Sequence, residues 1–156
     1  MFTDAKLIIF ILVLFQLGCT DEKIERYDIS PILKAKAELA TKPATLVKLE
    51  LCDIDLFNWN RIIIIPPYTT VTKIKSYKLD NSSFVEKHLL DTLYRETDCL
   101  LLFVQNNNVV RYSYVSREFI DFNYINNTNT NRTLSKEIAC ERLYIKNINS
   151  TLKLYY

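Results

Sequence analysis

The sequence predicts a single small α+β domain over residues 30–156, a mostly antiparallel sheet with one or two helices packed on it. Three observations carry that expectation. Strand-like segments of alternating or β-branched apolar residues follow one another closely from residue 99 to residue 155, as hairpins do. The clearest helical pattern lies between strands rather than in a run of helices, which is the order of an α+β chain. Turn positions hold Asn instead of Gly, since the one glycine among 156 residues is Gly18. Asn is the next residue to tolerate left-handed backbone.

Taken in order, residues 19–29 are charged and unpatterned, which predicts a tether. Ser30-Pro31 reads as an N-cap followed by proline at the first helical position, opening a short helix through Ala40 that Lys42-Pro43 ends. Residues 46–51 alternate Leu46, Lys48 and Glu50 against Val47, Leu49 and Leu51, the pattern of a half-buried strand. Residues 61–65 carry four isoleucines and stop at Pro66-Pro67, which predicts a central strand buried on both faces. Thr69 or Thr70 caps a short helix with Val71, Ile74 and Tyr77 on one side.

The clearest helix starts at Ser83. Ser83 and Glu86 have the spacing of a capping box, each able to satisfy a free amide at the helix start. Val85, Leu89 and Leu93 then recur every four residues, and Phe84 and Leu90 widen the stripe. Residues 99–104 and 109–115 flank the turn 105–108 and predict a hairpin. Residues 117–125 continue the sheet, 126–132 form a polar loop, and 142–148 with 151–155 make a final hairpin around Asn149-Ser150.

Composition excludes several functions. Gly18 falls at the edge of the N-terminal apolar segment, so the domain itself has no glycine. A phosphate-cradling loop, a dinucleotide fingerprint and a strained nucleophile elbow all need one. His88 is the only histidine and the cysteines lie about forty residues apart, so no metal site and no cofactor is expected. The net charge is +2 with no basic stripe interleaved with aromatics, which argues against nucleic acid as a partner. No two carboxylates can be paired by spacing, and no nucleophile has a visible base. The expectation is therefore a non-enzymatic protein.

The N-terminus supplies an address. Lys6 precedes an apolar run from Leu7 to Phe15, extended by Leu17 and closed by Gly18-Cys19. A basic start, a short apolar stretch and a small residue at the cut make a secretory signal peptide over residues 1–18. As a helix, residues 7–17 would span roughly 17 Å against a hydrocarbon core of about 30 Å, too short to cross. Ending on Gly-Cys, the segment resembles a bacterial lipoprotein signal, in which a peptidase cuts before a lipidated cysteine. The resemblance implies lipidation, with palmitate among the acyl chains, at Cys19, and a membrane partner through the N-terminal lipid. It departs from the usual pattern at Gln16, where leucine is usual. Asp21 and Glu22 behind Cys19 resemble the surface-export signal of Bacteroidetes-like lipoproteins, and they also suit a solvated tether. The implied location is the cell envelope, lipid-anchored, at the outer membrane or the cell surface.

Cleavage would remove one base, Lys6, and one acid, Asp4, leaving the net charge at +2. With Cys19 lipidated, Cys52, Cys99 and Cys140 remain outside the cytoplasm. One disulfide would leave one thiol over, and the sequence does not choose among the three pairings. Burial of all three as small apolar residues is the other reading.

A second resemblance covers residues 57–122. Phe57-Asn58-Trp59-Asn60-Arg61 leads into the isoleucine strand and Pro67-Tyr68-Thr69. Residues 101–104 lead through the Asn turn to Val109-Val110-Arg111-Tyr112, and Arg117 precedes Asp121-Phe122. The pattern resembles a group of small uncharacterised bacterial lipoproteins and secreted proteins, with Asn60 where an acid is usual and two prolines before Tyr68. The group implies a fold and a location, and no reaction. The candidate partner-binding residues are Trp59 and Tyr68, as an aromatic patch at a strand end, with Arg117 and Asp121. Each has a structural alternative: core packing for the two aromatics, and an ion pair tying down a strand end for Arg117 and Asp121. The functional expectation is an envelope lipoprotein that binds a protein partner, as an assembly component or a small inhibitor or immunity factor. A small envelope hydrolase is the competing class.

Overall fold

The computed structural model describes residues 23–42, 45–52, 54, 56–89, 96–125, 132–148 and 151–156. The signal segment, Cys19, Leu90, Leu93 and most of the 126–132 loop lie outside them. Among the described residues nine strands form two sheets. The five-stranded sheet is ordered β1 (Glu25–Arg26), β5 (Asn108–Ser116), β4 (Asp98–Gln105), β3 (Arg61–Ile65), β7 (Thr133–Ser135). The four-stranded sheet is ordered β2 (Leu46–Lys48), β8 (Tyr144–Ile148), β9 (Thr151–Tyr155), β6 (Asp121–Ile125). All pairings are antiparallel except β1 with β5 and β6 with β9. The α+β expectation with a mostly antiparallel sheet is met, in two sheets rather than one.

Period-two side-chain alternation divides β3 and β4 between two cores. Ile62, Ile64, Cys99, Leu101 and Phe103 face the second sheet, where Ile145 and Leu154 meet them together with Leu33 of α1 (Ser30–Leu39). Ile63, Ile65, Leu100, Leu102 and Val104 face the other way. There they meet Ile74 of α2 (Val71–Ser76), and Val85 and Leu89 of α3, which runs through Ser82–Phe84 and Val85–Leu89. The isoleucine strand is thus covered on both faces, as its unbroken apolar run requires. Tyr27, Phe57, Trp59 and Phe103 add an aromatic cluster to the first core, with edge-to-face centroid distances of 5.3 to 6.2 Å.

Turn chemistry follows the sequence closely at β4–β5. Asn106 (φ 48°) and Asn107 (φ 69°) occupy a two-residue turn with left-handed backbone, the geometry that matches strand twist. Arg61 Nη2 donates to Asn107 Oδ1 at 2.8 Å, and Asp80 N donates to the Asn107 carbonyl at 3.0 Å, so the tip is pinned on two sides. Thr70 caps α2 by accepting from Lys73 N at 3.3 Å. The final hairpin forms between residues 144–148 and 151–155, its first strand starting at Tyr144 rather than Arg142 because residues 138–142 are helical. Val47, Leu49 and Leu51 turn inward although the strand itself ends at Lys48.

Several expectations need correction. The domain begins before Ser30: β1 pairs with Arg111 and Tyr112, Ile24 and Ile29 are buried, and Tyr27 N donates to Tyr112 O at 2.8 Å. Residues 24–29 are therefore a packed part of the fold rather than tether, because Ile24 and Ile29 supply apolar side chains on either side of the short strand. At α1 the free amide of Ser30 is satisfied by Asp28 Oδ1 at 3.0 Å, while Ile29 holds the cap position. Hydrogen bonding from the Ser30 side chain first, and then from its amide, holds the Asp28 carboxyl below its ordinary value.

The Ser83–Glu86 capping box does not form. Asn81 holds the cap position, and its amide instead grips β5, accepting from Val109 N at 2.9 Å and donating to Val109 O at 3.0 Å. Glu86 pairs with Lys75 at 3.9 Å. Residues 121–125 leave the first sheet and join the second beside β9. Cys52 and Cys140 form a disulfide across 88 residues, joining the segment after β2 to α4 (Ile138–Arg142), and Cys99 is buried as a free thiol.

Candidate functional site

Three of the four expected binding residues meet at one end of the five-stranded sheet. The C-terminal end of β3, the start of β4 and the end of β5 share that edge, since Ile65 faces Leu100 and Asp98 faces Ser116. Pro66 and Pro67 stop β3, as neither can donate to a ladder. The chain then turns through Tyr68 at φ 60°, with Thr69 Oγ1 donating back to the Pro66 carbonyl at 2.6 Å. Proline followed by positive φ is the arrangement of a type II turn, whose third position favours Gly or Asn. Here it holds Tyr68, 60% exposed.

The Tyr68 hydroxyl donates to a Glu96 carboxylate oxygen. That hydrogen bond, with smaller contributions from desolvation and from the Glu96 charge, keeps the phenol above its ordinary value and therefore neutral. Glu96 also presents its carbonyl to Arg117 Nη1 at 2.9 Å, while Arg117 N donates to Thr97 O at 2.7 Å. Arg117 completes a fork onto Asp121, with Nε to Oδ1 at 3.0 Å and Nη2 to Oδ2 at 3.2 Å. The hydrogen bonds it donates to Asp121 hold the guanidinium above its ordinary value. The side chain of Asp121 is only 8% exposed against 33% for Arg117, so one member of the pair is buried and the other is at the surface. A bidentate pair fixes orientation more firmly than a simple ion pair. The ion-pair reading of Arg117 and Asp121 is thus what the geometry shows, and the pair also props the loop that carries Glu96. Phe119, 41% exposed, lies in the same turn as Arg117.

Trp59 does not join this surface. It is 2% exposed, packs edge-to-face on Phe103 at 5.9 Å, and lies under the Lys136 ammonium at 5.2 Å. Its indole Nε1 has no hydrogen-bond partner among the described residues. The residue precedes the start of β3, the opposite end from Tyr68, so a single aromatic patch cannot include both. Core packing is its role. Glu96, which links Tyr68 to Arg117, carries no sequence signal; it lies in a two-residue approach to β4 with no periodicity.

The free thiol of Cys99 lies behind the same sheet end. Burial first, and then the charge of Asp121, push it up to about 12, so it is a protonated apolar side chain at neutral pH. Cys19, the expected lipidation position, lies outside the described residues. Among those residues, no group of three His, Cys, Asp or Glu side chains converges as a metal site, and no helix is long and apolar enough to cross a membrane. No protein-family model matches the chain, and no curated protein or solved structure matches it either.

Proposed function

We propose that this chain is an exported lipoprotein of a bacterial cell envelope, anchored by lipid at Cys19, and that it binds a protein partner through the sheet end built on Tyr68. The observation that carries this reading is Tyr68 itself. A bulky side chain at φ 60° costs about 1–2 kcal/mol relative to right-handed or extended backbone, and strain of this kind concentrates where a chain contacts something else. Burial does not offset that cost, because the ring is mostly exposed. Its hydroxyl is fixed by Glu96, and Glu96 is held by the Arg117–Asp121 fork. A rigid, exposed aromatic with its rotamer already ordered loses little entropy on docking, the usual property of an interface anchor.

Two further observations support the location. The N-terminal segment reads as a lipoprotein signal, and the Cys52–Cys140 disulfide suits an oxidising compartment. A diacylglycerol and an N-linked acyl chain at Cys19 supply the two signals that stable anchoring needs. The anchoring half is tested by feeding cells labelled palmitate, with label expected in the wild-type chain and not in Cys19→Ala; equal labelling would refute it. The binding half is tested by crosslinked pull-down from intact envelopes. A specific protein should be recovered with the wild type and lost with Tyr68→Ala, while both proteins unfold at the same urea concentration. Unchanged recovery with Tyr68→Ala would refute the site. Turnover of an envelope substrate, abolished by one side-chain change, would refute the non-enzymatic reading.

A further inference from the structure

Away from the Tyr68 end, a half-enclosed groove of about 670 Å³ opens between α3 and the β5 face of the five-stranded sheet. That volume lies within the range of small-molecule sites. Its wall includes a cluster of rings: Phe84 and His88 lie 5.0 Å apart between centroids at an interplanar angle of 42°, and Phe84 and Tyr112 lie 6.4 Å apart at 51°. Phe84 and Tyr112 rest on the second core and His88 is exposed, so the ring cluster is anchored at its base and open to solvent. Asn81, clamped on Val109 by both ends of its amide, fixes the start of α3 against β5.

Two cations stand at the groove. Lys23 and Lys87 both line it, both are exposed, and neither makes an ion pair among the described residues. The neighbouring acid, Glu86, is committed to Lys75 at 3.9 Å. No carboxylate occurs among the described lining residues. An independent feature marks the same wall. Residues 85–89 widen from an ordinary α-helical turn into i→i+5 turns, a form that recurs at binding sites in other helices.

We propose that this groove binds a small organic anion built on a flat aromatic ring, the ring packed against Phe84 with His88 and Tyr112 tilted toward its edges, and its carboxylate held by Lys23 and Lys87. Stacking supplies the apolar contact and the two ammonium groups supply the selection for charge. The site is separate from Tyr68, so its occupancy does not depend on the partner surface.

The test is titration calorimetry of the full chain in lipid nanodiscs, with empty nanodiscs as the blank. The probes are 2-naphthoate, its neutral counterpart 2-naphthalenemethanol, and glucuronate, which places the same charge on a non-aromatic ring. Saturable binding of 2-naphthoate is expected, about tenfold tighter than either of the other two. Lys87→Gln, an exposed change, should weaken 2-naphthoate about fivefold, and Phe84→Ala should weaken it further, while Tyr68→Ala leaves it unchanged. Equal affinity for 2-naphthalenemethanol would overturn the role of the lysines, and equal affinity for glucuronate would overturn the aromatic assignment. No saturable binding, or binding untouched by Lys87→Gln, would overturn the proposal.

Discussion

Removing the Cys52–Cys140 disulfide should cost this domain a large part of its stability. The bond closes a loop of 88 residues, with Cα atoms 5.0 Å apart. In the chain-entropy treatment a closure of that length removes about 15 cal/mol/K from the unfolded ensemble, or about 4.6 kcal/mol at 25 °C. Domains of this size have a total stability of about 5–15 kcal/mol. The change is cleanest as Cys52→Ala with Cys140→Ala, since Cys99 is then the only thiol left in the domain. Cys140 is 8% exposed and packs in the first core, so the alanine side chain sacrifices little apolar contact. Urea unfolding followed by circular dichroism reads the difference; with a slope of about 2 kcal/mol/M the midpoint should fall by about 2 M. Dithiothreitol should move the wild type to the same midpoint as the double variant. A loss below about 1 kcal/mol would show that the unfolded chain is already constrained between these segments, and would refute the entropic reasoning.

Three other changes probe the packing and the electrostatics. Leu89→Ala empties a position in the core between α3 and the sheet, where Leu89 is 2% exposed, and should cost about 2–5 kcal/mol by urea unfolding; a cost near zero would mean the helix does not seat there. Arg117→Ala removes two hydrogen bonds from a nearly buried carboxylate and should cost about 1–3 kcal/mol, with Arg117→Lys recovering only part because it cannot form the fork. Cys99 should resist a disulfide reagent in the native state at pH 8 and react at once in denaturant. Its folded value of about 12 lies above the ordinary 9.0, so its contribution is intact below pH 9 and is lost as pH rises from 9 through 12. Stability over that window should fall by up to about 1.4 kcal/mol per pH unit more in the wild type than in Cys99→Ala; equal slopes would refute the burial of the thiol.

Much of the fold is legible where one rule acts alone. Four consecutive isoleucines bounded by prolines can be satisfied only by a strand covered on both faces, and β3 is that strand. Asn106 and Asn107 announce a left-handed turn because no glycine competes for the role. The two parallel pairings were not legible. β1 is two residues long and is held by Ile24 and Ile29, which flank it, so no periodic pattern can show it. Residues 121–125 have strand character, yet the choice between sheets is made by β9, whose partner edge lies some thirty residues away. The capping box failed because the helix starts at Ser82 with Asn81 at the cap position, which puts Ser83 inside the first turn, where its hydroxyl cannot cap.

The candidate site divides in the same way. Arg117 and Asp121, four residues apart, can be paired by spacing, and the structure pairs them. Tyr68 stands out in the sequence only as an aromatic at a strand end; its left-handed backbone is not legible there, because that turn position favours Gly or Asn. Trp59 misled because a lone tryptophan near a strand end suits a surface anchor and a core residue equally, and only Phe103 on the neighbouring strand decides the matter. Glu96 and the groove residues Lys23 and Lys87 are surface charges in sequence terms. The Phe84 and His88 spacing of four is the one signal that could have pointed to the groove.

The central claim, a partner bound through the Tyr68 end, is tested most directly by placing a photo-crosslinking amino acid at position 68 in the full chain and irradiating intact envelopes. A second protein carries the same group at Leu46, an exposed position on the edge strand β2 of the other sheet. The account predicts one discrete crosslinked protein from position 68, absent from position 46, and lost when Arg117→Ala loosens the loop that orients the ring. The same crosslinks from both positions, or none from position 68, would contradict it.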